Sequence, residues 1–104
     1  MSSRLWAASA LMALMAYASS VGAAGYVPRA GFVPDEQTAK AIAEAILIPI
    51  MGRRLVDSEK PLHAELHGDV WIVTGHLDRE MVGGVAEVRI DKKNGAILRF
   101  EHGQ

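Results

Sequence analysis

The sequence predicts an α+β fold, with an N-terminal helix packed on one face of a four-strand antiparallel meander. Three observations point there. Apolar residues recur at steps of three and four between Ala39 and Ile50, the period drops to two from Leu62 onward, and turn residues punctuate that second region.

The helix starts after Pro34, where Asp35, Glu36 and Gln37 place side-chain oxygens beside the free amides of a positive helix end. Ala39, Ile42, Ala43, Ile46 and Ile50 form one face, while Lys40 and Glu44 sit four apart on the other and pair weakly. Pro49 cannot donate to the carbonyl four residues back, so the helix is expected to kink or stop there. Gly52 is the expected cap, Arg53 to Lys60 add a short turn, and Pro61 closes the segment.

The strands follow. Leu62, Ala64 and Leu66 alternate with His63, Glu65 and His67, and Gly68-Asp69 fits a tight hairpin turn. That loop sets Leu66 opposite Trp71 and Ala64 opposite Val73, both pairs on one side of the ribbon. A charged connection from Asp78 to Gly84 ends in Gly83-Gly84, a pair that reads as a bend at a strand start. The third strand runs from Val85 to Asp91, Lys92 to Gly95 turn the chain, and Ile97 to Glu101 supply the last strand. The inward set is then Ile42, Ile46, Leu62, Leu66, Trp71, Val73, Val88, Ile90, Leu98 and Phe100.

Ahead of this domain, residues 1–24 read as a secretory signal peptide. Arg4 precedes an uncharged apolar run from Leu5 to Ala18, and small residues from Ser19 to Ala24 supply a cut site after Ala23 or Ala24. The apolar run is short of the roughly 20 residues that span a bilayer. Residues 25–33, punctuated by Gly25, Pro28 and Gly31, read as a linker, and residues 34–104 as the domain. Export places the protein in the periplasm or outside the cell.

Composition narrows the function. Without Arg4, ten basic side chains face twelve acidic ones, which gives no electrostatic reason to expect nucleic acid or an anionic membrane as partner. The absence of cysteine removes disulfides, thiol nucleophiles and cysteine metal sites. No Gly-rich phosphate loop follows a strand, and Ser58, alone in the folded region, has no base near it in sequence. His63, Glu65 and His67 tempt as metal ligands. On a strand, however, they spread over about 13 Å, and the zinc-protease order needs glutamate where Ala64 stands. His76 on the next strand adds at most a second ligand to His63. No catalytic residue, metal or cofactor is expected.

Taken in order, the residues resemble a known family. Val33-Pro34-Asp35-Glu36 and Thr38-Ala39 lead into Ile42-Ala43-Glu44-Ala45-Ile46, then Pro49-Ile50 and Gly52. Pro61, Gly68-Asp69-Val70-Trp71, Val73, Gly75 and Gly83-Gly84-Val85-Ala86 follow. The end reads Ile90-Asp91-Lys92-Lys93-Asn94-Gly95, Ile97-Leu98 and His102-Gly103. This pattern is similar to the small NTF2-fold immunity proteins of bacterial polymorphic toxin systems, across essentially the whole domain. The resemblance implies a reduced NTF2-like, cystatin-like arrangement and a non-enzymatic protein that binds and neutralises a cognate toxin. A second resemblance, carried by Val88 to Leu98 with its Asp91-Lys92-Lys93-Asn94-Gly95 turn, is to periplasmic PepSY-like modules that inhibit or regulate a partner peptidase.

One helix covers one face of the sheet, which leaves the other accessible. By parity that face carries His63, Glu65, His67, Ile72, Thr74, His76, Val85, Glu87, Arg89, Ile97, Arg99 and Glu101. Isolated apolar residues among charges of both signs suit a protein interface better than a small-molecule pocket. The candidate partner-binding residues are Arg89, Arg99 and Glu87 for specificity, with Ile72, Val85 and His76 around them.

Overall fold

The computed structural model describes residues 25–77 and 83–103. The expected signal peptide, residues 78–82 of the long connection, and Gln104 lie outside the described residues. The element order is α1 (Glu36–Met51), α2 (Arg53–Ser58), β1 (His63–His67), β2 (Val70–Thr74), β3 (Ala86–Asp91) and β4 (Ile97–His102). The strands form one antiparallel sheet in the order β1-β2-β3-β4. This is the expected helix-then-meander arrangement, an α+β NTF2-like fold.

Asp35 caps α1. Its carboxylate accepts hydrogen bonds from the backbone N–H of Thr38 at 2.8 Å and from the Thr38 hydroxyl at 2.7 Å. Those two bonds, the hydroxyl's first, hold the Asp35 carboxyl below its ordinary range. The helix does not stop at Pro49 but runs on to Met51. Proline there costs a single hydrogen bond, to the carbonyl of Ala45 on the exposed side, and the turn closes where Gly52 donates to the Ile48 carbonyl at 2.8 Å. Gly52 has φ 89°, a conformation that glycine adopts without penalty, and α2 begins directly after it.

The hairpin register is the expected one, with Leu66 opposite Trp71 and Ala64 opposite Val73. The core gathers Val33, Ala39, Ala43, Leu47, Val56, Leu62, Trp71, Val73, Ala86, Val88 and Ile90. Ala39 and Ala43, both fully buried, let the α1 backbone approach the sheet closely. Trp71 is buried, and its indole N–H donates 2.8 Å to the Val33 carbonyl, which ties the segment before α1 to the sheet. Phe32 and Val33 also donate backbone hydrogen bonds to Lys93 and Lys92 in the β3–β4 turn, and Val33 is wholly buried.

Three members of the expected inward set are exposed. Leu66, Leu98 and Phe100 show 41 %, 52 % and 36 % of their surface, and Ile50 on α1 shows 56 %. Leu66 sits beside the Gly68-Asp69 turn at the end of edge strand β1, and for Leu98 and Phe100 the reason is width. Four strands at about 4.8 Å spacing outreach a helix about 10 Å across, and α1 packs chiefly on β1 and β2. Val33 and Val56 join the cluster that buries Val88 and Ile90 on β3, and β4 is left at the uncovered margin. Leu47, not Ile50, completes the buried stripe of α1, because Ile50 lies past the edge of the core.

A β-bulge makes a second correction. Arg89 pairs with Arg99, but Ile90 pairs with Ile97, so one extra residue of β4 sits between these pairs. Ile97 therefore shares the helix-side face with Ile90 rather than lying on the open face.

The end of the sheet near Gly75 is held by one buried acid. Glu59 is 3 % exposed; its Oε1 accepts from the Ala86 N–H at 2.8 Å, and its Oε2 lies 3.0 Å from His102 Nε2. A Cβ on residue 75 would collide with that carboxylate, which explains why glycine occupies the position. A buried carboxylate is tolerable only with such partners.

Candidate partner-binding face

The open face is built from cross-strand rows. One row runs Glu65, Ile72, Arg89, Arg99, and the next runs His63, Thr74, Glu87, Glu101. The strand period of two puts both rows on the side opposite Trp71, Val73, Val88 and Ile90. Of the six candidate residues, the register therefore brings Ile72, Arg89, Arg99 and Glu87 into neighbouring rows. Val85 and His76 lie past the strand ends, at the margin of this group. The His76 ring stands 5.9 Å from that of His63, tilted by 57°.

The charges of this face are paired along strands rather than between them. Arg89 Nε donates to Glu87 Oε2 at 2.9 Å, and Arg99 Nη2 donates to Glu101 Oε2 at 2.8 Å. Across the strands, arginine faces arginine and glutamate faces glutamate. Each guanidinium carries five donors and spends one here, so most of its hydrogen-bonding capacity faces outward. Ile72 is half-buried between Glu65 and Arg89, an apolar floor with a charged surround. Such a surface can take a carboxylate-bearing protein with an apolar contact at the centre.

Elsewhere the chemistry is sparse. Among the described residues, no group of three or more His, Cys, Asp or Glu is placed to hold one metal ion. A shallow groove of about 290 Å³ beside α1 is lined by Lys40, Glu44, Lys60 and Leu62 among others. Its Lys60 ammonium is engaged by Glu44 and, at 3.1 Å, by Asp57; these bonds, Glu44's first, hold its pKa above the ordinary lysine value. Among the described residues, no helix is long and apolar enough to cross a membrane.

Sequence reasoning missed the Glu59–His102 contact. These residues are 43 positions apart, and neither period nor spacing links them. The weak signal was a glycine, Gly75, where a strand side chain was otherwise expected.

The comparisons with known proteins agree with this architecture. The family described as NTF2 fold immunity protein matches residues 38–104, and the chain belongs to that family. A curated relative, "Uncharacterized protein YbbC" of Escherichia coli (strain K12), is 38 % identical over 71 residues. That match covers 67 % of this chain and 58 % of the relative, so the chain spans less than two thirds of the relative's length. No solved structure matches the chain.

Proposed function

We propose that this chain is an exported, non-enzymatic immunity protein that neutralises a cognate toxin by stoichiometric binding through the open face of its sheet. Family membership supports toxin neutralisation as the role. The observation that carries the choice of surface is the adjacent Arg89 and Arg99, each held by one carboxylate and flanked by half-buried Ile72. Arginines oriented in this way select partners by charge, because an acidic surface completes their hydrogen bonds and a basic one is repelled. Inhibition by occlusion needs no nucleophile and no metal, which fits a chain without cysteine.

The direct test is Arg89→Glu, measured by titration against the toxin encoded beside the gene. Binding should fall at least about a hundredfold, since a lost charge pair and a new repulsion together cost several kcal/mol. The melting temperature should stay near that of the parent, as Arg89 lies on the face opposite the buried cluster. Undiminished binding would move the interface to the 78–84 connection or to α1. Export rests on residues 1–24, and the mature protein should begin at Ala24 or Gly25 by mass spectrometry. Intact Met1 in the membrane fraction would overturn that part of the reading.

A further inference from the structure

Among the described residues no strand lies beyond β4, and its outer edge is complementary to itself. Gly103 N–H donates to the Val85 carbonyl at 3.2 Å, so Val85 and Gly103 form a hydrogen-bonded pair of the β3–β4 ladder. Antiparallel alternation then makes Glu87/Glu101 and Arg89/Arg99 hydrogen-bonded pairs, with Val88/Phe100 a non-bonded pair between them. The backbone N–H and C=O of Phe100 consequently point away from β3, toward the free edge.

We propose that two copies of the chain pair antiparallel through β4, with the two-fold axis at Phe100. In that register Phe100 meets Phe100 of the second copy and exchanges two backbone hydrogen bonds with it. Arg99 falls opposite Glu101 of the second copy, and Glu101 opposite its Arg99, at the non-bonded positions where side chains lie closest. Within one chain the same two residues face like charges, Arg89 and Glu87. A second copy thus supplies on the outer side the opposite charges that β3 does not. Phe100 lies on the helix-side face, and with Leu98 and Ile97 it forms an apolar margin that α1 leaves exposed, at 36 %, 52 % and 42 %. The pairing covers part of this margin and removes an open strand edge, which is otherwise a site of uncontrolled association. An unrelated strand would satisfy the backbone equally, but this sequence, run antiparallel, also matches Arg99 and Glu101 at both positions.

The purified protein, without toxin, should sediment as a dimer, and Arg99→Glu or Glu101→Arg alone should weaken dimerisation about tenfold or more. Mixing those two variants should restore a one-to-one dimer, because four glutamate and arginine side chains then face opposite charges across the interface. The double variant Arg99→Glu with Glu101→Arg keeps the pair within the strand and should dimerise like the parent, which separates the interface from folding. Ile72→Glu, on β2 and two strands in from the edge, should weaken toxin binding and leave the dimer intact, so failure of the toxin-binding reading is distinguishable from failure of this one. A monomer at every soluble concentration overturns the proposal. So does a dimer indifferent to both single reversals, or one that neither the mixture nor the double variant regains. A monomer whose β4 amides become protected only on adding toxin would give the edge to the toxin instead.

Discussion

Two neighbouring strands of this sheet, β3 and β4, carry nearly the same pattern and meet opposite fates. Ala86, Val88 and Ile90 alternate with Glu87, Arg89 and Asp91, and all three apolar residues are buried to within 1 %. On β4, Ile97 and Phe100 occupy the matching face beside Arg99 and Glu101, yet they remain substantially exposed. Alternation states which side of a strand is apolar. Whether anything lies on that side depends on the width and position of the layer above, and here the covering layer ends short of β4. The exposed margin is then available to bury against something else.

The largest effect expected on this contrast comes from its centre. Trp71→Ala should cost about 3–5 kcal/mol in urea unfolding, through lost transfer energy and a residual cavity. It also strips the Val33 carbonyl of its indole donor, and so releases the segment before α1. A change of less than about 1 kcal/mol would show that the helix does not rest on β2 as described.

The comparison itself is tested by truncating one residue on each strand of the Val88–Phe100 pair. Val88→Ala should destabilise by about 1–3 kcal/mol, because the methyl groups removed are fully buried. Phe100→Ala, although it deletes a larger side chain, should cost less than about 1 kcal/mol in dilute protein. If Phe100 proves the costlier site at low concentration, β4 is covered and the contrast fails. A cost that grows with protein concentration would instead point to burial between copies.

The smallest effect sharpens the helix end of the molecule. The Asp35 carboxyl titrates below its ordinary value of 3.8 when folded, so its contribution is fully present above that value. It is lost as pH falls through the lower folded value. Asp35→Asn should therefore melt slightly below the parent at neutral pH, and the gap should close as pH drops from about 5 to about 2. Equal melting temperatures at every pH would mean that the charge on Asp35 contributes nothing and that capping by the side-chain oxygen alone suffices.

Much of the fold was legible because it rests on local rules. The helix start at Asp35, the Gly68-Asp69 hairpin with Leu66 opposite Trp71, and the Asp91–Gly95 turn each follow from side-chain capping, glycine conformation or strand parity over a few residues. The rows of the candidate face were legible for the same reason, up to the bulge. The bulge itself displaced Ile97, since one inserted residue switches the faces of the residues before it relative to those after it, and no local signal marks it. Of the two outcomes expected at Pro49, the helix does not stop there but runs to its expected cap at Gly52, as a single lost hydrogen bond on a solvent-facing turn is too small a cost to end a helix already held by Ala43 and Leu47.

By itself, then, the sequence determined the element order, the turns, the strand faces and the freedom from thiol chemistry, because periodicity and turn geometry act over distances shorter than a helix. The tertiary structure alone decided which apolar faces are covered, that Val33 closes the core under Trp71, and that Glu59 meets Ala86 and His102. The three side-chain contacts among these join residues from 27 to 43 positions apart. They depend on how far a helix of fixed width reaches across a sheet of four strands, a quantity that no stretch of the chain encodes alone.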